Sequence, residues 1–266
     1  MLLVAALAGG FGSVFGVPLA GAVFAMEVQA VGRLRYEALV PALTASIVGD
    51  LVVGGLGYHH TPRPQLDVPL EGGVLAKVAL AGLAFGLVST AFTELTHLLR
   101  GRLRHHVSWP PLRPALGGVA TLALVALVGR DYLGLSLPLI DQTLAGVTPD
   151  DGAFLLKLVF TAVALGSGFP GGEVTPLFVI GTTLGGALAG PFGLGVGMLG
   201  SVGFVAVFAG AANTPLACTI MGAELFGSGA VVVCAVGCVV AYVFSSHRGI
   251  YTTQRIDVPK TPGTPR

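Results

Sequence analysis

The residues best suited to chemistry lie in one stretch, 166–181, which reads GSGFPGGEVTPLFVIG. Four glycines and a proline stand within residues 166–172, and they interrupt regular structure. Pro176 follows where a helix can begin, because a proline in the first turn gives up an N–H that has no partner there. The N–H groups at such a helix start, backed by the positive end of the helix dipole, can bind an anion. A helix-breaking loop between two membrane segments explains the same residues equally well.

Composition predicts an all-α polytopic membrane protein. Charged residues are 10% of the chain, against roughly 25% in soluble domains, while 53% are hydrophobic and the mean hydropathy is +0.85. The net charge of +1 gives no reason to expect a nucleic-acid partner. Cys218, Cys234 and Cys238 are too few for a disulfide framework. The sequence has no paired acids, no Ser–His–Asp set and no metal-ligand spacing, so we expect no enzyme, no metal site and no cofactor.

Apolar segments of unequal length predict a series of helices, some too short to cross a bilayer. Residues 1–14 fall short of the roughly 20 that a crossing needs. Basic clusters at 33–35 and 100–106 predict cytoplasmic ends, which puts the loop 57–73 outside. The predicted segments are 1–14, 18–27, 37–56, 72–99, 112–128, 153–165, 177–188, 184–191, 194–210 and 230–244, with an amphipathic piece at 137–144.

The chain also contains an internal repeat. Pro18-Leu-Ala is followed by Glu27 nine residues after the proline, and Pro215-Leu-Ala is followed by Glu224 at the same distance. A short, proline-opened helix repeated in two halves is typical of inverted-repeat transporters, and chance similarity of two apolar helices is the competing explanation. The first copy is preceded by only seventeen residues, so we expect the first half of the repeat to be incomplete.

Together these motifs resemble the CLC family of anion channels and proton-coupled antiporters. The resemblance is carried by Gly-Ser-Gly-x-x-Gly-Gly-x-x-x-Pro from residue 166, by the two Pro-Leu-Ala helices, and by Gly-Ile-Tyr at 249–251. It implies a membrane domain over 1–256 with short, broken and tilted helices in an inverted repeat, followed by a loose cytoplasmic tail at 257–266. In that family helix N-termini converge on an anion in the middle of the membrane. The anion-binding residues implied here are Gly172, Glu173, Val174, Thr175 and Tyr251.

Departures from the common family pattern point to its fluoride-selective branch, which exchanges fluoride for protons. Ordinary members carry Gly-x-Phe-x-Pro where this chain has Gly172-Glu-Val-Thr-Pro176. The resemblance implies that Glu173 couples protons, and that Thr175 is an added hydrogen-bond donor for the strongly hydrated fluoride ion. Val28 stands where many antiporters of the family have an inner proton-transfer glutamate, as in the fluoride branch. The alternative is that Glu173 is only a favourable acid in a first helical turn.

The leading hypothesis is fluoride export coupled to proton entry, by a multi-pass protein of the plasma membrane. The helix with the family's gating glutamate is expected upstream of Met1, so we expect a fragment of a longer protein, a misassigned start or a decayed gene. One alternative is a CLC channel or transporter for chloride or another anion. Another is a membrane piece that transports nothing and pairs with a full-length relative.

The resemblance also implies a homodimer in contact with membrane lipid. The predicted interface uses segments 18–31, 37–54, 215–226 and 230–244, whose small residues suit close packing in lipid. The small residues assigned to these faces are Ala20, Ala22, Ala38, Ala42, Ala217, Gly222 and Ala235.

Overall fold

A computed structural model describes residues 1–260, which form α-helices of very unequal length and one short pair of strands. Short 3-10 turns at Tyr36–Ala38 and Ser228–Ala230 lead into the third and eleventh helices. The helices are α1 (Leu2–Phe15), α2 (Pro18–Glu27), α3 (Leu39–Gly55), α4 (Gly72–His106), α5 (Leu112–Val128), α6 (Leu137–Leu144), α7 (Ala153–Ser167), α8 (Val174–Phe192), α9 (Val196–Ala212), α10 (Pro215–Phe226) and α11 (Val231–Phe244). The strands β1 (Ala30–Val31) and β2 (Arg255–Ile256) pair in parallel.

The lengths confirm the predicted mixture of long and short helices. α4 has 35 residues, about 52 Å at 1.5 Å per residue, whereas α2 has 10 residues and reaches only about 15 Å. Three stretches of the described chain are long and apolar enough to cross a membrane by length and composition: Tyr36–Gly55, Gly72–His106 and Val174–Phe192. A helix too short to cross a membrane has free backbone groups at its ends that need partners from the protein.

Two predicted boundaries are wrong. The segment predicted at 72–99 continues as α4 to His106, so its basic cluster lies in the last turns of a helix, where the helix dipole favours cations. The segments predicted separately at 177–188 and 184–191 are one helix, because α8 runs unbroken from Val174, two residues before Pro176, to Phe192. Its glycines serve close packing, as the small-residue pattern predicted.

Those glycines allow α8 and α9 to touch backbone to backbone. A Cβ atom built on Gly181 would lie 2.0 Å from the carbonyl oxygen of Gly203, and one built on Gly203 would lie 2.1 Å from the carbonyl oxygen of Gly181. Gly185 meets the carbonyl oxygen of Leu199 in the same way, at 2.2 Å. The crossing therefore tolerates no side chain at these positions.

α9 is the centre of the fold. Every residue from Leu199 to Ala212 is buried, as expected for a helix that is apolar on all sides. α4, α8, α10 and α11 pack around it. The short helices α2 and α10 pack against each other at the side of this core.

The chain returns across the ends of these helices after α11, in a segment that we call the C-terminal strap (residues 249–260). Its start is held by a hydrogen bond from the Ile250 N–H to the carbonyl oxygen of Ala211, 2.9 Å, and its middle by the β1–β2 pair. Residues 257–260 belong to the predicted loose tail, yet Lys260 Nζ donates to Ser245 Oγ at 2.7 Å and lies 4.3 Å from the centre of the Tyr242 ring. Residues 261–266 of that tail lie outside the described part of the chain.

Six of the seven small residues predicted to face a dimer partner are instead packed inside the chain. Ala20, Ala22, Ala42 and Ala217 have no exposed surface, Ala38 is 1% exposed and Gly222 is buried. Ala235 is half-buried. Their small size serves contacts among α1, α2, α3, α9, α10 and α11 within one chain.

The α8–α9 crossing predicts that Gly203→Ala prevents close approach and lowers the free energy of unfolding by about 1–3 kcal/mol or more. Gly190→Ala is the matched control, because Gly190 lies on α8 with nothing within 4 Å of a built Cβ atom. Thermal unfolding in detergent measures both variants. Equal stability of the two would contradict a backbone-limited crossing.

Candidate anion-binding site

The glycine-rich stretch is an open connection between α7 and α8. α7 ends at Ser167, and Gly168 closes it in the left-handed conformation at φ 100°, which favours glycine. Its N–H and that of Phe169 return to carbonyl oxygens in the last turn of α7, at Leu165 and Ala164. Residues 168–172 are exposed and have no regular structure before α8 begins.

The N-terminus of α8 keeps its first backbone donors free. Leu177 is the first residue whose N–H bonds back, to the carbonyl oxygen of Glu173 at 3.2 Å. Within residues 1–260 the N–H groups of Val174 and Thr175 have no backbone partner, and Pro176 has no N–H. Two donors and the positive end of the helix dipole therefore face the open segment.

The side chains at this helix start are equally free. Glu173 is the N-cap residue of α8, but its carboxylate makes no capping hydrogen bond. In the described part of the chain neither that carboxylate nor the Thr175 hydroxyl group has a hydrogen bond or an ion pair. Both groups are therefore free to contact a ligand, while the position of Glu173 at the helix start also suits a favourable acid in a first helical turn.

The N-termini of α2 and α10 are closed in a reciprocal way. The Glu224 carboxylate, near the end of α10, accepts hydrogen bonds from the N–H groups of Leu19 at 2.9 Å and Ala20 at 2.8 Å. The Glu27 carboxylate, at the end of α2, accepts from Leu216 at 3.1 Å and Ala217 at 2.8 Å. Each helix thus ends at the start of the other, so the two run antiparallel.

These carboxylate caps distinguish the starts of α2 and α10 from the start of α8. An anion already occupies the positive end of α2 and that of α10, in the form of a side-chain carboxylate. Only α8 among these three presents unpaired N–H groups. The sequence marked Glu27 and Glu224 as a repeat but did not predict that each would cap the other copy.

Tyr251 lies on the inner side of the fold, which we define as the side of the basic end of α4; His97 near that end contacts the carbonyl oxygen of Gly249 at 3.2 Å. Tyr251 is half-buried at an inner cavity of about 490 Å³, lined also by Phe24 and Val28.

Thr175 lines a different cavity. This outer cavity of about 460 Å³ lies towards the loop that joins α3 and α4, and Phe178, His60 and Glu224 are among its other lining residues. The predicted site residues therefore divide between two sides of the protein, with Thr175 reached from outside and Tyr251 from inside. Gly172 and Glu173 belong to the open segment between α7 and α8.

Aromatic rings fill the space between the two cavities. The ring of Phe24 lies 6.5 Å from Tyr251 and 5.6 Å from Phe208, the ring of Phe208 lies 5.4 Å from Phe178, and the ring of Phe178 stacks on Phe204 at 4.1 Å. Phe178 and Phe208 are almost fully buried. This barrier was not predicted, because phenylalanines spread over α2, α8 and α9 give no local pattern.

A side-chain amide anchors the C-terminal strap three residues after Tyr251. Gln254 Nε2 donates to the carbonyl oxygens of Val28 and Ala212, both at 2.9 Å, and Gln254 Oε1 accepts from Asn213 Nδ2 at 2.8 Å. These bonds tie the strap to the ends of α2 and α9. Neither Gln254 nor Asn213 was predicted, because the Gly-Ile-Tyr motif gives no indication of an amide three residues later.

The reciprocal caps predict that Glu27→Ala leaves two N–H groups unpaired, one buried and one partly buried, and lowers the free energy of unfolding by about 2–4 kcal/mol. Glu37→Ala is the control, because Glu37 only forms an exposed ion pair with Arg35 at 3.4 Å. Thermal unfolding in detergent compares the two. A Glu27→Ala protein as stable as Glu37→Ala would show that the cap does not stabilise the fold.

Comparison with known proteins agrees with the fold. The sequence profile described as "Voltage gated chloride channel" matches residues 1–246. The chain is 45% identical over 265 residues to the chloride/fluoride channel protein of Pseudomonas syringae pv. tomato, covering 96% of this chain and 58% of that protein. It is 30% identical to the voltage-gated ClC-type chloride channel ClcB of Citrobacter koseri, covering 90% of this chain and 60% of the relative. The chain thus spans less than two thirds of these relatives.

Solved structures give the same result. The crystal structure of a CLC-type fluoride/proton antiporter superimposes with a TM-score of 0.91 at 33% identity, covering 94% of this chain and 64% of that one. A eukaryotic CLC transporter shares the fold, with a TM-score of 0.74 at 22% identity. The helices, their inverted repeat and the matched sequence profile lead to one conclusion: this chain belongs to the CLC family of voltage-gated chloride channels.

Proposed function

We propose that the complete protein transports anions across the membrane and exports fluoride in exchange for protons. The observation that carries this proposal is the difference among the helix starts. α2 and α10 are closed by Glu224 and Glu27, whereas α8 points free N–H groups at an open segment. In our account that open helix start binds the transported anion.

The donors around this helix start suit a small anion. The N–H groups of Val174 and Thr175 can bind it along the helix axis, and the Thr175 hydroxyl group adds a donor from the side. Gly172, which has no side chain, lets an anion approach the backbone closely. Fluoride needs several strong donors in exchange for its hydration shell, so the number of donors favours it. Tyr251 is the corresponding donor on the inner side.

Glu173 is the group that we assign to proton coupling. Its carboxylate has no partner in the described chain and stands beside the two free N–H groups. A bound anion next to it, away from bulk water, disfavours the charged carboxylate, so fluoride binding promotes proton uptake. The protonated carboxyl group can then donate a hydrogen bond to fluoride.

Chloride transport is the second candidate. The ClcB relatives are named chloride channels, and the Pseudomonas relative is named for both anions. Fluoride is preferred because the fluoride/proton antiporter is a structural match over 94% of this chain, and because the helix start carries an acid and a hydroxyl group. The third alternative, a membrane protein that transports nothing, is an outcome of the experiment below.

We further propose a homodimer in the plasma membrane, with lipid around it and no enzymatic activity. Large apolar side chains are exposed on all four predicted interface helices, among them Leu19 of α2, Leu51 of α3, Leu216 of α10 and Val239 of α11. They would form the contact in place of the buried alanines. Cross-linking of the complete protein in membranes tests this, and finding monomers alone would contradict it.

Ion flux tests the transport proposal directly. We expect the product of the complete gene, reconstituted in liposomes, to release fluoride at least tenfold faster than chloride and to move protons the opposite way. Chloride release as fast as fluoride release would favour the second candidate. If thermal unfolding shows that the protein is folded and no flux of either anion is found, the non-transporting alternative is favoured.

Two substitutions separate the roles of Glu173 and Thr175. Glu173→Gln keeps a donor and loses the titration, so we expect fluoride to bind while proton flux falls at least tenfold. Thr175→Val removes a donor at constant shape and weakens fluoride binding by about 1–3 kcal/mol. Calorimetry measures binding, and a pH-sensitive dye in the liposomes measures proton flux.

Glu71→Gln is the control for charge, because Glu71 is exposed in the outer loop before α4. It should leave binding and coupling unchanged. If Glu173→Gln couples protons as well as the parent, Glu173 is only a favourable acid at a helix start and the coupling mechanism is wrong.

A further inference from the structure

We propose that an anionic phospholipid binds this protein, with its phosphate headgroup between the inner ends of α4, α5 and α7. A cavity of about 390 Å³ lies there, and Arg100, Arg104 and Arg113 line it. No acidic residue is among its lining residues. Basic pockets of this kind between membrane helices on the cytoplasmic side suit lipid headgroups.

The positive charges in this cavity are not neutralised by the protein. Arg100 Nη2 donates to the carbonyl oxygen of Leu165 at 3.4 Å, and Arg113 Nε donates to that of Val107 at 2.9 Å. Within residues 1–260 none of the three arginines forms an ion pair, and Arg104 has no hydrogen bond. The carbonyl contacts orient two guanidinium groups and leave a net charge for an anion, since arginine binds phosphate through paired N–H donors.

The arginines lie at the depth of lipid headgroups. Lys77 is exposed near the outer end of α4, and Arg100 follows 23 residues later on the same helix. That separation is about 35 Å along the helix, slightly more than the roughly 30 Å hydrocarbon core. Arg104 lies one turn beyond Arg100 towards the inner end of α4, about 6 Å further along the helix, at the level of the phosphates.

The adjoining surface of α5 favours a lipid over free phosphate. From the cavity into the membrane α5 exposes apolar side chains at three- and four-residue spacing, which puts them on one helix face. They are Leu112, Leu116, Val119 and Leu122. Phe169 lines the cavity and is also exposed. A free phosphate ion would use the arginines alone, whereas a phospholipid also covers this stripe with its acyl chains.

The cavity also touches the segment that leads to α8. Gly166, Ser167, Gly168 and Phe169 are among its lining residues, and Arg100 bonds to the last turn of α7. A bound headgroup therefore packs against the start of the glycine-rich connection. The lipid site itself does not depend on which anion the protein transports.

Trp109 is the single tryptophan of this chain and stands next to Pro110, which lines the cavity. In the full-length protein in detergent, brominated phosphatidylglycerol should quench the Trp109 fluorescence at a mole fraction at least tenfold lower than brominated phosphatidylcholine. Trp109→Phe identifies the part of the signal that comes from this site. Arg104→Gln should weaken the phosphatidylglycerol response about fivefold, without affecting the response to phosphatidylcholine.

Arg102→Gln is the matched control, because Arg102 lies on the same helix and lines a different cavity, with His105. An equal effect of Arg102→Gln and Arg104→Gln would overturn the site in favour of diffuse attraction to a basic helix end. Equal quenching by both lipids would also overturn it. Displacement of the lipid by an equal concentration of inorganic phosphate would show that free phosphate, and not a lipid, is the occupant.

Discussion

The exchange of carboxylates between α2 and α10 is the contact on which the architecture depends. Both helices are too short to cross a membrane, so their N-terminal N–H groups need partners from the protein. Glu224 supplies them for α2, and Glu27 for α10, through four hydrogen bonds of 2.8–3.1 Å. The bonds hold the two helices antiparallel and cancel the positive field at both starts. Within residues 1–260 the start of α8 is thereby left as the one of the three whose N–H groups have no partner.

Packing against α9 holds α8 in position, since its N-terminus has no side-chain cap. Its glycines meet those of α9 backbone to backbone, and α9 is buried along Leu199–Ala212. A helix fixed so tightly keeps its first N–H groups in one position, and donors that need no rearrangement stabilise a charge more strongly. The phenylalanine rings next to it separate the outer cavity, which Thr175 lines, from the inner cavity at Tyr251. A continuous open path between the two sides would be a leak.

The sequence predicted the parts of this arrangement that are local. The glycine-rich stretch, the short proline-opened helices and most helix limits follow from composition and spacing, and the family was recognisable from the same motifs. The long-range pairings were not predictable. Glu27 and its partner N–H groups are almost two hundred residues apart, and nothing local to either shows the bond. The alanines of α2 were interpreted as part of an outer surface, because close packing inside a chain uses the same small residues as an interface between chains.

The most direct test of the central claim observes the backbone N–H groups themselves while fluoride is added to the full-length protein in micelles. With selective nitrogen-15 labelling, our account predicts that the amide signals of Val174 and Thr175 shift and saturate with fluoride. Those of Leu19, Ala20, Leu216 and Ala217 should stay in place, because carboxylates already hold them. Saturable shifts at the starts of α2 or α10, with none at the start of α8, would contradict the account.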